Sequence, residues 1–100
     1  MKIAIASSGK DEKSLVSPVS GRAEYYLIFE DKKLIKTIKN PFVIGGGGAG
    51  SAVAQILSNE KVKLVISGSF GPRMLETLKE KEIKTKIVTD TTVKKTLEEL

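Results

Sequence analysis

Two arginines and a run of four glycines carry the chemistry this sequence offers. Gly45, Gly46, Gly47 and Gly48 stand just before a helical pattern that begins at Ala49; Arg22 sits in the stretch SGRA, and Arg73 falls in the first turn of a second helical pattern introduced by Pro72. Ordered glycine carries a high backbone-entropy cost, so four in a row imply positive φ angles or close approach of bare backbone to something. Amides with no neighbouring Cβ can wrap an anion, helix amino termini add a positive dipole end, and guanidinium groups add charge-assisted hydrogen bonds. Gly68 and Gly71, in the turn GSFG ahead of Pro72, extend the pattern. The chemistry expected is the binding of a small anion.

What is missing narrows the choice. The 100 residues include no cysteine, no histidine and no tryptophan. Thiolate and imidazole metal sites are therefore excluded, together with every nucleophile arrangement that depends on those side chains. A metal held directly would need oxygen ligands. GGGGAGS lacks the Gly-Lys-Ser/Thr ending of a Walker loop. It is no dinucleotide fingerprint either, because the strand before it belongs to a hairpin rather than a βαβ unit.

The elements that must position these residues follow from periodicity. Lys2 to Ala6 reads as a strand ended by Ser7, Ser8 and Gly9, and the polar stretch from Lys10 to Ser20 as a loop. Glu24 to Glu30, EYYLIFE, predicts a second strand, joined through Asp31, Lys32 and Lys33 to a third over Leu34 to Lys39. Ala49, Ala52, Val53, Ile56 and Leu57 define the buried face of a helix over Ala49 to Ser58. Lys63 to Ser67 has the continuous apolar character of an interior parallel strand. Pro72 to Lys81 predicts a helix with Leu75 and Leu78 on one face, Thr85 to Thr89 a last strand, and Asp90 the cap of a final helix lined by Val93, Leu97 and Leu100.

The order β, β, β, α, β, α, β, α defines an α/β fold. A hairpin after the first strand and right-handed crossovers later predict a mixed five-stranded sheet in the order 3-2-1-4-5, with strand 2 antiparallel and helices on both faces. Ligands in such sheets bind outside the carboxyl ends of parallel strands where the winding reverses, here between strands 1 and 4. Ser7, Ser8 and Gly9 would line one side of that crevice, and Ser67, Gly68, Ser69 and Gly71 the other. A helix returning to start strand 4 must also point its amino terminus there, which brings the glycine run and Arg73 to the same place.

Length fits one small domain spanning residues 1–100. Seventeen Lys and Arg against twelve Asp and Glu give a formal charge of +5, which favours anionic partners, but the charges are scattered rather than blocked. Tyr25, Tyr26 and Phe29 fall inside a predicted strand, so nucleic acid is not among the expected partners. No apolar stretch approaches a membrane span or a signal segment, which predicts a cytoplasmic protein. The abundance of Lys, Glu, Ile and Val points towards a thermophilic source.

Three stretches taken together, SPVSGRAEYYLIFE, NPFVIGGGGAGSAVAQIL and VISGSFGPRMLETLKEKEIK, resemble the dinitrogenase iron-molybdenum cofactor biosynthesis domain family over nearly the whole chain, as a small stand-alone member. The resemblance implies a ribonuclease-H-like three-layer fold. It implies noncatalytic binding of an iron-molybdenum-sulfur or iron-sulfur cluster, carried between cluster-assembly proteins. It also implies that Arg22, Gly45 to Gly48, Gly68 and Gly71 belong to the ligand region. The family motif S-P-H-F-G-R-A has a histidine where this chain has Val19. A cluster here would have to be held by its outer sulfides and carboxylates.

Two readings follow: a noncatalytic carrier of an anionic metal-sulfur cluster, or a binder of another small anion or phosphorylated metabolite at the same loops. A third, a hard-cation enzyme built on Asp11, Glu12 or Glu24, stands behind them because the first strand, KIAIA, carries no carboxylate.

Overall fold

The computed structural model describes residues 1–42 and 49–100. Its elements are β1 (Lys2–Ser7), β2 (Tyr25–Glu30), β3 (Lys33–Lys39), α1 (Ala49–Asn59), β4 (Val62–Ser67), α2 (Pro72–Glu80), β5 (Lys84–Ile87) and α3 (Val93–Glu98). The sheet order is β3-β2-β1-β4-β5, with β2 antiparallel to both neighbours and β4 and β5 parallel to β1. This is the predicted mixed sheet. Asp31 and Lys32, at φ 52° and 64°, make the two-residue turn between β2 and β3. Two successive positive φ values match the right-handed twist of the flanking strands.

Strand alternation divides the core in two. Ala4, Ala6, Tyr26, Ile28, Val62 and Val65 face α1 and α2, where Val53, Leu57, Met74 and Leu78 are buried against them. Ile5, Leu27, Phe29 and Ile66 face the opposite way and pack with Val93 and Leu97 of α3. Helices therefore cover both faces, as period-two alternation in strands buried on both sides demands.

Four local expectations are corrected. The last strand runs over Lys84–Ile87 rather than Thr85 to Thr89, because α2 ends early at Glu80 and the chain re-enters the sheet at once. The Ile83 amide donates to the Leu78 carbonyl (2.9 Å) and the Glu82 amide to that of Lys79 (3.0 Å), with Glu82 at φ 59°. This is a left-handed helix stop, formed here without glycine. On α2 the buried pair is Met74 and Leu78, spaced i, i+4, while Leu75 is 40% exposed.

Asp90 does not cap the final helix. Its φ of 53° places it in the turn before, and Thr92 is the cap, its hydroxyl accepting from the Lys95 amide at 3.1 Å. Leu100 lies beyond the end of α3 and is 39% exposed, so it does not line the buried face.

Candidate functional site

The crevice expected between β1 and β4 is filled by the chain's own loop. The Ser17 amide donates to the Ala6 carbonyl at 2.8 Å, and the Gly68 amide donates to the Ser17 carbonyl at 2.8 Å. Ser69 Oγ donates to the Pro18 carbonyl at 2.6 Å, and the Ser20 amide donates to the Ser69 carbonyl at 3.1 Å. A parallel pair leaves its last carbonyl and amide unpaired at the switch point, and Ser17 bridges them. A Cβ on Gly68 would lie 2.6 Å from Pro18 Cα. The glycine at 68 admits this loop.

The same loop is anchored from below. Tyr26 is 1% exposed, and its hydroxyl meets both Ser20 Oγ, at 2.6 Å, and the Ser20 carbonyl. Burial raises the phenol pKa well above its ordinary value, an effect the Ser20 hydroxyl partly opposes. Buried Asn40 donates through Nδ2 to the carbonyls of Gly21 (3.1 Å) and Ala23 (2.9 Å), and its Oδ1 accepts from the Phe42 amide at 2.9 Å. Arg22 Nη1 donates to the Phe42 carbonyl at 3.0 Å. The SGRA stretch is thus anchored by hydrogen bonds, with Arg22 tied to Phe42, three residues beyond the end of β3.

Beside this loop a cleft of about 350 Å³ opens, lined by Val19, Gly21, Arg22, Gly50, Gly71, Pro72, Arg73 and Met74. Three glycine backbones make the walls. A Cβ on Gly50 would lie 2.9 Å from Met74 Cβ and 3.4 Å from the Met74 nitrogen, and one on Gly21 would lie 3.5 Å from Gly50 Cα. The first turns of α1 and α2 therefore touch. Gly71, the N-cap of α2, has extended backbone and no side-chain cap bond, and nothing lies within 4 Å of where its Cβ would be. Pro72 at the first position has no amide hydrogen, so the early donors of α2 are the Arg73 and Met74 amides.

Of the residues the sequence singles out, Arg22, Gly71 and Arg73 converge on this cleft, whereas Gly68 lines a different one. Gly45 to Gly48 lie outside the described residues. Gly21 and Gly50 also line the cleft, although the sequence pattern did not mark them as site residues; for Gly50 the signal was a glycine inside a helix's first turn, where that residue is otherwise unfavourable. Met74, 1% exposed, belongs to the core. Among the described residues no group of three or more Asp, Glu, Cys or His comes together, so Asp11, Glu12 and Glu24 form no hard-cation site with one another. No helix among them is long and apolar enough to cross a membrane.

Fold and site together define an α/β protein with a cationic, glycine-walled cleft at two adjoining helix amino termini. The chain belongs to the dinitrogenase iron-molybdenum cofactor family, whose model matches residues 1–100. Among solved structures it is similar to the apo form of the orange protein from Desulfovibrio gigas, with 24% identity and a TM-score of 0.89 over 97% of this chain and 83% of that one. It is similar as well to a Thermotoga protein provisionally assigned as NifB, at 31% identity and a TM-score of 0.84 over 97% and 84% of the two chains. A Methanocaldococcus jannaschii protein provisionally assigned as a dinitrogenase matches at 17% identity and a TM-score of 0.57 over 99% and 89%. No curated protein sequence matches.

Proposed function

We propose that this chain is a noncatalytic carrier of a preassembled, anionic iron-molybdenum-sulfur or iron-sulfur cluster, taken up as cargo and passed to cluster-assembly proteins in the cytoplasm. The observation that carries the reading is the convergence of Arg22, Arg73 and the bare backbone of Gly21, Gly50 and Gly71 on one cleft, in a chain of this family.

The donor set suits the outside of such a cargo. Guanidinium forks and amides donate to sulfide and carboxylate oxygen or sulfur, and they meet net negative charge with positive. They offer nothing to iron itself: the sequence has no thiolate or imidazole, and the thioether of Met74 is buried among core residues. The cargo would keep its own ligands throughout. The glycine run is proposed to add to the grip: Phe42, ahead of it in sequence, bonds Arg22, and Gly50, after it, lines the cleft.

The lack of soft ligands, with Val19 on the cleft wall, favours a second reading in which another small anion or a phosphorylated metabolite fills the same cleft. Anaerobic gel filtration with isolated iron-molybdenum cofactor separates the two. A carrier co-elutes with molybdenum and iron, and Gly47→Val, which adds bulk to the glycine run, abolishes the co-elution. A wild-type peak free of metal contradicts the cluster reading and turns the search to phosphorylated metabolites.

A further inference from the structure

Strand β5 ends the sheet. Among the described residues it pairs with β4 alone, and all four of its residues, Lys84 to Ile87, are exposed. Such an edge presents unpaired amides and carbonyls to a further strand. Its two faces differ in chemistry. Thr85 stands opposite Val65, whose side chain lies in the core layer beneath α1 and α2, whereas Lys84 and Lys86 stand opposite Leu64 and Ile66, on the α3 side. Ile87, 63% exposed, shares the α2 side with Thr85 by alternation. On that side a groove of about 400 Å³ runs between α2 and the strand, lined by Leu75, Lys79, Ile83, Lys84 and Thr85.

We propose that the β5 edge receives an extended segment of a partner protein in which apolar residues alternate with Asp or Glu. Paired in the ladder, such a segment turns its apolar side chains towards Leu75 and Ile87 and its carboxylates towards Lys84 and Lys86. Backbone bonds supply attachment and the alternating side chains supply selectivity. The charged residues of the exposed edge, Lys84 and Lys86, are both lysines, which matches the acidic face required.

A second copy of this chain is the wrong occupant. Edge-to-edge pairing of two β5 strands would set lysines beside lysines, and like charges across a ladder are destabilising. The other edge is less suited. β3 carries a register shift opposite Ile28 and Phe29 that leaves Ile35 as an extra residue, and its Lys36 Nζ is engaged by Glu60 Oε2 at 2.6 Å. A bulge of that kind interrupts further pairing.

The test is an amide chemical-shift titration of the full chain with a blocked peptide of about eight residues, a common strand length, alternating Val and Glu, beside its Val and Lys counterpart. The Glu peptide should shift Lys84 to Ile87 and Leu75. It should bind about fivefold tighter than the Lys peptide, the scale of two exposed ion pairs, and K84E/K86E should invert the preference. The proposal is overturned by equal responses to the two peptides, by no response to either, or by shifts centred on β3. It is overturned equally if β5 amides move with protein concentration alone, which would make a second copy the occupant.

Discussion

On either side of the Pro18–Val19 step the molecule carries a cleft. The one beyond Pro18 is the larger, about 460 Å³, lined by Leu15, Val16, Gly68, Val88, Thr89, Asp90 and Thr91 as well as Pro18; its described lining carries a single charged residue, Asp90. The one beyond Val19 is smaller, about 350 Å³, and its charged residues are Arg22 and Arg73. Both open near the carboxyl end of the sheet, where α/β proteins hold ligands. Size favours the first and electrostatics the second. An anion in the larger cleft would meet a carboxylate, whereas in the smaller one it meets two guanidinium groups and the amino end of α2. Glycine sorts the same way: Gly68 admits the chain's own loop, while Gly71 faces open space.

The largest effect should come from reversing the charge of the smaller cleft. Arg22→Glu with Arg73→Glu should weaken binding of isolated iron-molybdenum cofactor by about a hundredfold or more, as the loss of two charge-assisted contacts implies. Anaerobic equilibrium dialysis measures it. Asp90→Asn in the larger cleft should leave binding unchanged, and a loss there would reverse the assignment of the two clefts.

Gly68→Ala and Gly71→Ala sharpen the contrast. At position 68 the new methyl meets Pro18 Cα at 2.6 Å and the Ser17 carbonyl oxygen at 3.0 Å. Such overpacking against backbone should destabilise by about 2 kcal/mol, or roughly 10 °C in Tm for a chain of this size. At position 71 the methyl meets nothing, so Tm should hold while the methyl intrudes on the cleft and lowers cofactor affinity by about fivefold, on the scale of one weakened amide contact. Thermal unfolding and dialysis on both variants check the pair.

The smallest effect concerns the anchor shared by the two clefts. Burial raises the Tyr26 pKa, so the folded state keeps its phenol proton after the unfolded state has lost it. The Tyr26 titration should therefore add no pH dependence to stability below the ordinary phenol pKa of about 10 and make stability fall as pH rises beyond it. Tyr26→Phe should flatten that alkaline decline relative to wild type, measured by urea unfolding on both sides of the ordinary phenol range, and should cost about 1 kcal/mol at neutral pH through the lost bond to Ser20.

The sheet was legible because its signals are local. Period-two alternation in EYYLIFE and the apolar run in KLVIS name strands directly, and connection rules then fix their order. That order put Gly71 and Arg73 in one place, whereas the place of Arg22 came only from the family resemblance. What escaped the reading depends on contacts distant in sequence. Nothing near Ser17 reveals that it will bridge Ala6 and Gly68, and so the β1–β4 crevice reads as open when it is plugged. Gly50 reads as a weak helix residue, and only the proximity of Met74 on another helix explains it. Capping by Thr92 in place of Asp90 turns on a backbone angle at Asp90 that the TDTT run does not specify.

The assignment of cargo to the smaller cleft is tested most directly by paramagnetic broadening of amide signals when isolated iron-molybdenum cofactor is added anaerobically to the isotope-labelled protein. Unpaired electrons on the cluster erase the signals of nearby amides, so the pattern locates the cargo without any substitution. The account predicts loss of signal at Gly21, Arg22, Gly50, Gly71, Arg73 and Met74, with Thr89, Asp90 and Thr91 retained. Broadening centred on Leu15 and on Val88 to Thr91 would contradict it and assign the cargo to the larger cleft.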